Sequence, residues 1–390
     1  MRSVYFSAEH EEFRVGVRHF LATEILPYAD DWERERRIPR SAWKALGQQG
    51  LLGLHYPKEV GGGGRDLFSS VTFLEELGRT GYGGLRAAVS VHAYMATYYL
   101  ATAASAALRA AYLSPAIRGD KVAALAVTEP DAGSDLARLS AIATPHKDHF
   151  VLNGEKSMVT NGTSADFYVV LARTSPPAQS AAGRRPGLTG VSLLVVDADL
   201  PGVSTRQQET LGWRSAGTAQ IRFDNVPVMN ERLVGRLNNG FYYLMRGFQL
   251  ERLVAAVLAV GGMERSIEDT RDHLTSRQIF GARLATKGAL RHQFADLITE
   301  LTAVRQLVYH AAWCYQQGDL PAAECSMAKL AATELACRIA DTSLQLHGSH
   351  GYLDEAAAAR TYRDARAGTI AAGPSEVMRD IVAHMTLDEP

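Results

Sequence analysis

Cysteine is scarce in this chain. Cys314, Cys325 and Cys337 are the only three in 390 residues, and no Cys-x-x-Cys pair is present. That spacing excludes a disulfide framework and a cysteine zinc site, and predicts free thiols in a reducing compartment. An excess of either charge is also missing: 41 Lys and Arg stand against 42 Asp and Glu, for a net charge of −1. Such a balance argues against a nucleic acid or an acidic membrane as partner. The longest clean apolar run, Leu253 to Met263, is too short to span a bilayer. The first residues carry Glu9, Glu11 and Glu12 with no apolar stretch, so no signal peptide is expected. Neither an internal repeat nor a low-complexity tract occurs. The absences together predict a soluble, cytoplasmic protein.

What is present is ample apolar material, 46% of residues, enough for two or three domains. Residues 8–36 carry a helical stripe of Phe13, Val17, Phe20 and Leu21. A second helix is expected over 42–49, capped by Ser41 and stopped by Gly50, then a flexible glycine loop at Gly61–Gly64, then helices at 67–79 and 85–112. The last of these has little charge and should be buried. Near residue 121 the pattern changes to short β-branched runs: Val122–Val127, Phe150–Leu152, Phe167–Leu171, Val191–Val196 and Ile221–Phe223. Asn153-Gly154 reads as a hairpin turn, and 175–190 as an exposed loop. Helical periodicity returns over about 240–273, 290–317, 321–347, 355–363 and 375–386. The fold class is therefore α+β, with a helical part at 1–120, a β part at 121–230 and a helical part at 231–390.

The most informative stretch is Ala126-Val127-Thr128-Glu129-Pro130-Asp131-Ala132-Gly133-Ser134-Asp135. A buried strand must leave its sheet at Pro130, which has no N–H for a ladder. Free backbone donors and the Thr128 and Ser134 hydroxyls then suit an anion or a carbonyl-rich ring edge. An ordinary Pro-Asp-Gly turn is the other reading of these residues alone. Met158-Val159-Thr160-Asn161-Gly162 reads either as a second ligand-lining turn or as a plain hairpin. Arg277 is by itself a helix C-terminal cation. His347 and His350 lack a nearby third ligand, so no metal site is expected.

These segments resemble those of acyl-CoA dehydrogenases, and the resemblance runs the length of the chain. Residues 126–135 are similar to the family's Thr-Glu-Pro-x-Ala-Gly-Ser-Asp signature, and 158–162 to its Trp-Ile-Thr-Asn-Gly turn with Met158 in place of tryptophan. Leu211–Ser215, Arg277–Gly281 with Gln293, Gln345–Tyr352 and Tyr362–Arg366 match further family segments. The resemblance implies an N-terminal helical domain, a middle β-barrel-like domain and a C-terminal four-helix bundle around FAD. It implies that Val127, Thr128, Ser134, Met158, Thr160 and Glu376 line the cofactor, with Thr160 beside flavin N5. Trp213 is a candidate flavin neighbour. Arg277, Phe280, Gln293, Gln345 and Gly348 would reach the FAD of a neighbouring subunit, Arg277 facing its pyrophosphate. A homodimer or homotetramer follows from shared sites.

One departure matters for chemistry. Most family members carry the catalytic glutamate where this chain has Ala372, within Ile370-Ala371-Ala372-Gly373-Pro374-Ser375-Glu376. Alanine cannot accept a proton. The isovaleryl-CoA dehydrogenase branch instead places its base in a Leu-Glu-Arg-Leu-Val segment, and this chain has Leu250-Glu251-Arg252-Leu253-Val254. The resemblance thus implies α,β-dehydrogenation of a short or branched acyl thioester, on CoA or an acyl carrier protein. Glu251 takes the α-proton, flavin N5 accepts hydride, and Ser134, Arg252 and Ala372 contact the substrate. An electron-transfer flavoprotein is the expected acceptor. Two alternatives stay open: a flavin-dependent monooxygenase of the same fold, and a redox-silent flavin-binding protein.

Overall fold

The computed structural model describes residues 4–176 and 189–387. Helices α1 (Ala8–Phe20), α2 (Ala29–Glu35), α3 (Arg40–Gln48), α4 (Leu67–Arg79), α5 (Gly83–Ser90), α6 (Thr97–Ala103), α7 (Ala106–Leu108) and α8 (Ser114–Ile117) come first. Strands β1 (Ala123–Ala126), β2 (Ile142–Pro145), β3 (His149–Val159), β4 (Phe167–Arg173), β5 (Val191–Asp197), β6 (Val203–Gln207), β7 (Ala219–Met229) and β8 (Leu233–Val234) follow. The chain ends in α9 (Gly240–Ser276), the hairpin β9 (Gln278–Ile279) and β10 (Ala282–Arg283), then α10 (Gly288–Gln316), α11 (Ala322–His347), α12 (Ala357–Gly368) and α13 (Ser375–Leu387). Among the described residues no helix is long and apolar enough to cross a membrane.

The sheet runs β6-β7-β3-β2-β4-β5-β8, with β1 parallel to β4. Strands from both halves, including Leu152, Tyr168, Val170, Leu194 and Ile221, share one core, so the open sheet curls on itself. Alternate residues of β4 and β5, Phe167, Val169, Leu171, Leu193 and Val195, face the other way and pack on Tyr99, Leu113 and Leu244 of the helices. Burial on both faces explains why β4 and β5 read as unbroken apolar runs.

The helical ends meet over α9. A Cβ on Gly261 would overlap the Glu75 carbonyl and one on Gly78 the Leu258 carbonyl, so α4 and α9 cross at backbone contact. Partly buried ion pairs add to this joint: Arg79 of α4 pairs with Glu264 of α9 at 3.0 Å, Arg305 of α10 with Glu264 at 2.8 Å, and Arg14 of α1 with Glu75 of α4 at 2.8 Å.

Several local expectations need correction. Asn153-Gly154 is no hairpin; β3 runs straight through it, with a bulge between Leu152 and Gly154 against β7. Gly154 has φ 137, and a Cβ there would overlap Ala141, so the glycine serves a bulge rather than a turn. The β2–β3 hairpin instead turns at His146–His149, closed by a 2.8 Å bond. The first helix is interrupted by a π turn at Leu21–Ile25 and a 3-10 turn at Leu26–Tyr28 that accommodates Pro27. The third begins at Arg40 behind Pro39, with no side-chain cap from Ser41. The 85–112 helix breaks at Ala104, where Ser105 caps a new start. Gly61–Gly64 is no flexible loop: the N–H groups of Gly63, Gly64 and Arg65 bond the carbonyls of Gly53, Tyr56 and Leu54, each at 2.9 Å. Most of the 175–190 loop lies outside the described residues.

Candidate active site

The chain leaves β1 through Val127 and Thr128, both half-buried, into a tight Glu129–Ala132 turn. Glu129 anchors that exit. Its carboxylate accepts from the Ser140 N–H at 2.7 Å, the Ala141 N–H at 2.9 Å and the Lys156 ammonium at 2.8 Å. Lys156 is fully buried and donates also to the Val127 carbonyl at 3.0 Å. Burial pushes the Lys156 ammonium down to about 8, against the pull of Glu129. Burial pushes Glu129 the other way, but Lys156 outweighs it and holds the carboxyl below its usual range. The pair fixes the β1–β2 connection against β3, and Ser134 is left exposed on that connection.

The turn after β3 abuts the same exit, since the Ser157 N–H bonds the Thr128 carbonyl at 2.9 Å. Met158 and Asn161 adopt φ of 56° and 63°. Asn161 suits that conformation and donates its amide to the Ala88 carbonyl at 2.9 Å and the Ala123 carbonyl at 3.2 Å. Thr160 is thereby held between α5 and β1. Met158 presents its thioether to solvent, 56% exposed, with its N–H on Gln208 at 2.8 Å. Trp213 lies in a different joint, its N–H on Asp364 at 2.7 Å and its ring against Gly83.

Glu251 sits about a third of the way along α9 and is 6% exposed. Its Oε1 accepts from the Tyr99 hydroxyl at 2.9 Å. Burial raises the carboxyl to about 7, opposed by the Tyr99 hydrogen bond and by Arg252. Arg252 is buried too, reaching Gln249 at 3.3 Å and Ser326 at 3.4 Å, with its Nε unpaired. Beside it on α11, the fully buried Lys329 donates to the Gly373 carbonyl at 2.5 Å. Burial, then Arg252, pushes Lys329 down to about 8. Lys329 thus ties α11 to the turn holding Ala372, whose φ is 53°. A left-handed alanine costs about 1 kcal/mol, and here it aims backbone rather than a side chain. Glu376 is exposed in the first turn of α13.

Two groups of anticipated residues are therefore assembled within the chain. Val127, Thr128, Met158 and Thr160 form one; Glu251 and Arg252 form the other, with Ala372 next to the Gly373 carbonyl that Lys329 holds. Arg277, Phe280, Gln293, Gln345 and Gly348 belong to neither and are all exposed. Arg277 and Phe280 follow the end of α9, Gln345 and Gly348 lie at the end of α11, where the His273 and His347 rings stack at 4.4 Å, and Gln293 lies in the second turn of α10. Along α9, Arg277 lies about 39 Å from Glu251 at 1.5 Å per residue. Tyr99, Lys329, Glu129 and Lys156 were missed. Lys329 had a signal, a lone cation in the buried stripe of Cys325, Ala328, Ala332 and Leu335. Tyr99 had none beyond its place in an uncharged helix.

The donor set fits FAD. Arg277 forms no ion pair among the described residues and offers a guanidinium to phosphate, Gln293 and Gln345 offer exposed amides, and Met158 offers a half-exposed apolar surface beside the Thr128 and Thr160 hydroxyls. Fold and residues together define a flavoprotein dehydrogenase. Family models agree: those described as the acyl-CoA dehydrogenase N-terminal, middle and C-terminal domains match residues 7–120, 124–226 and 238–387. The rat mitochondrial long-chain specific acyl-CoA dehydrogenase is 33% identical over 98% of this chain and 88% of its own. The mitochondrial isovaleryl-CoA dehydrogenase of Pongo abelii is 32% identical over 96% of this chain and 88% of its own. A solved acyl-CoA dehydrogenase from Geobacillus kaustophilus superposes with a TM-score of 0.94 at 35% identity, covering 99% of this chain and 100% of that one. This chain belongs to the acyl-CoA dehydrogenase family. It is an FAD-dependent oxidoreductase acting on CH–CH groups.

Proposed function

We propose that the protein removes the α-proton and β-hydrogen of a short or branched acyl thioester, with Glu251 as the base. The observation that carries this reading is a carboxylate buried in the first half of α9, raised to about 7, in a chain whose usual base position is Ala372. An α C–H is a weak acid, so the enolate charge that develops needs donors at the thioester carbonyl. The Ala372 N–H is the donor in this reading, in a turn that Lys329 holds by its neighbour's carbonyl. Glu251 takes the proton once ionised, and its apolar surroundings match its pKa to neutral conditions. FAD, when bound, supplies the two-electron acceptor for the carbon–carbon oxidation. Val127, Thr128, Ser134, Met158, Thr160 and Glu376 are assigned to it, and Arg277, Phe280, Gln293, Gln345 and Gly348 to the FAD of a neighbouring copy in a homodimer or homotetramer. Arg252 and Ser134 are assigned to the substrate. Tyr98 and Tyr99 stand near Glu251, with Tyr315 against them, and three bulky rings beside the base favour a short acyl group. The carrier is CoA or an acyl carrier protein, and an electron-transfer flavoprotein is the proposed oxidant of the reduced enzyme.

The test is anaerobic titration of the bound flavin with a panel of acyl thioesters, in wild type and Glu251→Gln. Bleaching of the oxidised band in wild type, slowed about a thousandfold in the variant, is expected for loss of a general base. Bleaching at the wild-type rate in Glu251→Gln would remove Glu251 from the mechanism. No bleaching by any thioester would remove the dehydrogenase reading.

A further inference from the structure

The side chain that orients Glu251 comes from another helix, and an irregular turn puts it there. Between α5 and α6 the helix widens to a π turn over Val91–Ala96. The Thr97 N–H bonds the His92 carbonyl five residues back, and the Thr97 hydroxyl reaches the same carbonyl at 2.7 Å. One extra residue in a turn rotates everything after it by roughly 100° about the helix axis. Tyr56 pins the widened turn, its hydroxyl on the Ala93 carbonyl at 2.9 Å. As a result Tyr99 points into the joint with α9, fully buried, with its hydroxyl 2.9 Å from Glu251 Oε1. On α9, Gly247 lies one turn before Glu251, and a Cβ there would overlap the Tyr99 hydroxyl. The glycine therefore makes the approach possible.

We propose that Tyr99 is a positioning residue for catalysis: its hydroxyl donates to Glu251 Oε1, fixes the carboxylate and leaves Oε2 to receive the α-proton. The inference rests on Glu251 being the base. In the transfer the substrate α C–H bond breaks, an O–H bond forms on Oε2, and Tyr99 keeps its own proton. Facing this carboxylate are Tyr99 and Tyr98 from α6 and Arg252 from α9; Tyr315 of α10 and Arg246 of α9 lie against the tyrosines, and Cys325 and Lys329 of α11 behind Arg252. Of the three tyrosines, Tyr98 and Tyr315 lie beside each other, whereas Tyr99 bonds Glu251. Burial also holds the Tyr99 phenol well above its ordinary range, so it stays a donor wherever Glu251 titrates.

The test is the pH profile of flavin bleaching by the best thioester in wild type, Tyr99→Phe, Tyr98→Phe and Glu251→Gln. Removing a donor to the ionised carboxylate should move the midpoint in Tyr99→Phe up by about one pH unit. The rate at pH 7 then falls about fivefold, and the gap closes above about pH 9, with little change in KM. Tyr98→Phe should titrate as wild type. A Tyr99→Phe midpoint equal to wild type, or an equal shift in Tyr98→Phe, overturns the role of Tyr99. Bleaching that survives in Glu251→Gln sinks the base itself, which is a different failure. If Tyr99→Phe does not hold flavin, Gly247→Ala serves in its place. Its methyl displaces the same hydroxyl, the same upward shift is expected, and an unmoved midpoint overturns the proposal.

Discussion

At the scale of the residue, one carboxylate in a buried stretch of α9 is the proposed base, and its environment sets the pH at which it ionises. Glu251 has its folded pKa raised above the ordinary carboxylate value to about 7, burial being the largest cause. A raised pKa means the protonated form persists to neutral pH, and only the ionised form accepts a proton. The reductive half-reaction of wild type should therefore accelerate as pH rises through about 7 and level off above it. The same shift has a cost in stability. Ionising Glu251 inside the fold is disfavoured relative to the unfolded chain, so its contribution falls as pH climbs from the ordinary carboxylate range to about 7. Stopped-flow bleaching rates between pH 5 and 9 check the first statement; a profile with no rise in that window would show that Glu251 is not the titrating base.

At the scale of the element, the two signature turns work because buried polar groups hold them from beneath. Glu129 accepts four hydrogen bonds from Ser140, Ala141 and Lys156, and Lys156 returns one to the β1 exit. Breaking a buried pair from one side leaves the other charge without compensation, at about 3–5 kcal/mol. Glu129→Gln should lower the melting temperature and release flavin, because Thr128 and the Thr160 turn lose a common anchor. Thermal melts and the flavin-to-protein absorbance ratio check it; a variant with normal flavin content would refute the anchoring role. This layer also marks how far the sequence could be read. Strands β4 and β5 and the long helices from α9 on were legible, because apolar period is a local signal. Glu251 was found only by pairing its gain with the loss at Ala372. The π turn that aims Tyr99, the bulge at Gly154 and the pairing of Lys329 with Gly373 were not legible. Each depends on which distant backbone lies opposite, as Gly154 does on Ala141.

At the scale of the whole molecule, the chain presents an edge that makes little sense alone. Phe280 is 97% exposed at the tip of the β9–β10 hairpin and holds φ at 47°. An aromatic ring in a left-handed turn, fully in water, carries two costs without a contact in the chain to offset either. Arg277, without an ion pair among the described residues, stands just before the same hairpin, and the amides of Gln293 and Gln345 and the Tyr352 ring, 83% exposed, are also open to solvent. The arrangement fits a surface completed by another copy, in which one chain's hairpin closes the other's cofactor site. Two variants separate the parts. Phe280→Asp should reduce the oligomer and lose FAD together, since a carboxylate cannot occupy the place of a buried ring. Arg277→Gln should leave assembly intact and weaken FAD binding about tenfold to a hundredfold, the worth of one charge-assisted hydrogen bond to phosphate. Sedimentation velocity read alongside flavin content distinguishes them, and a Phe280→Asp protein that is monomeric yet fully loaded would mean that each chain holds its flavin unaided.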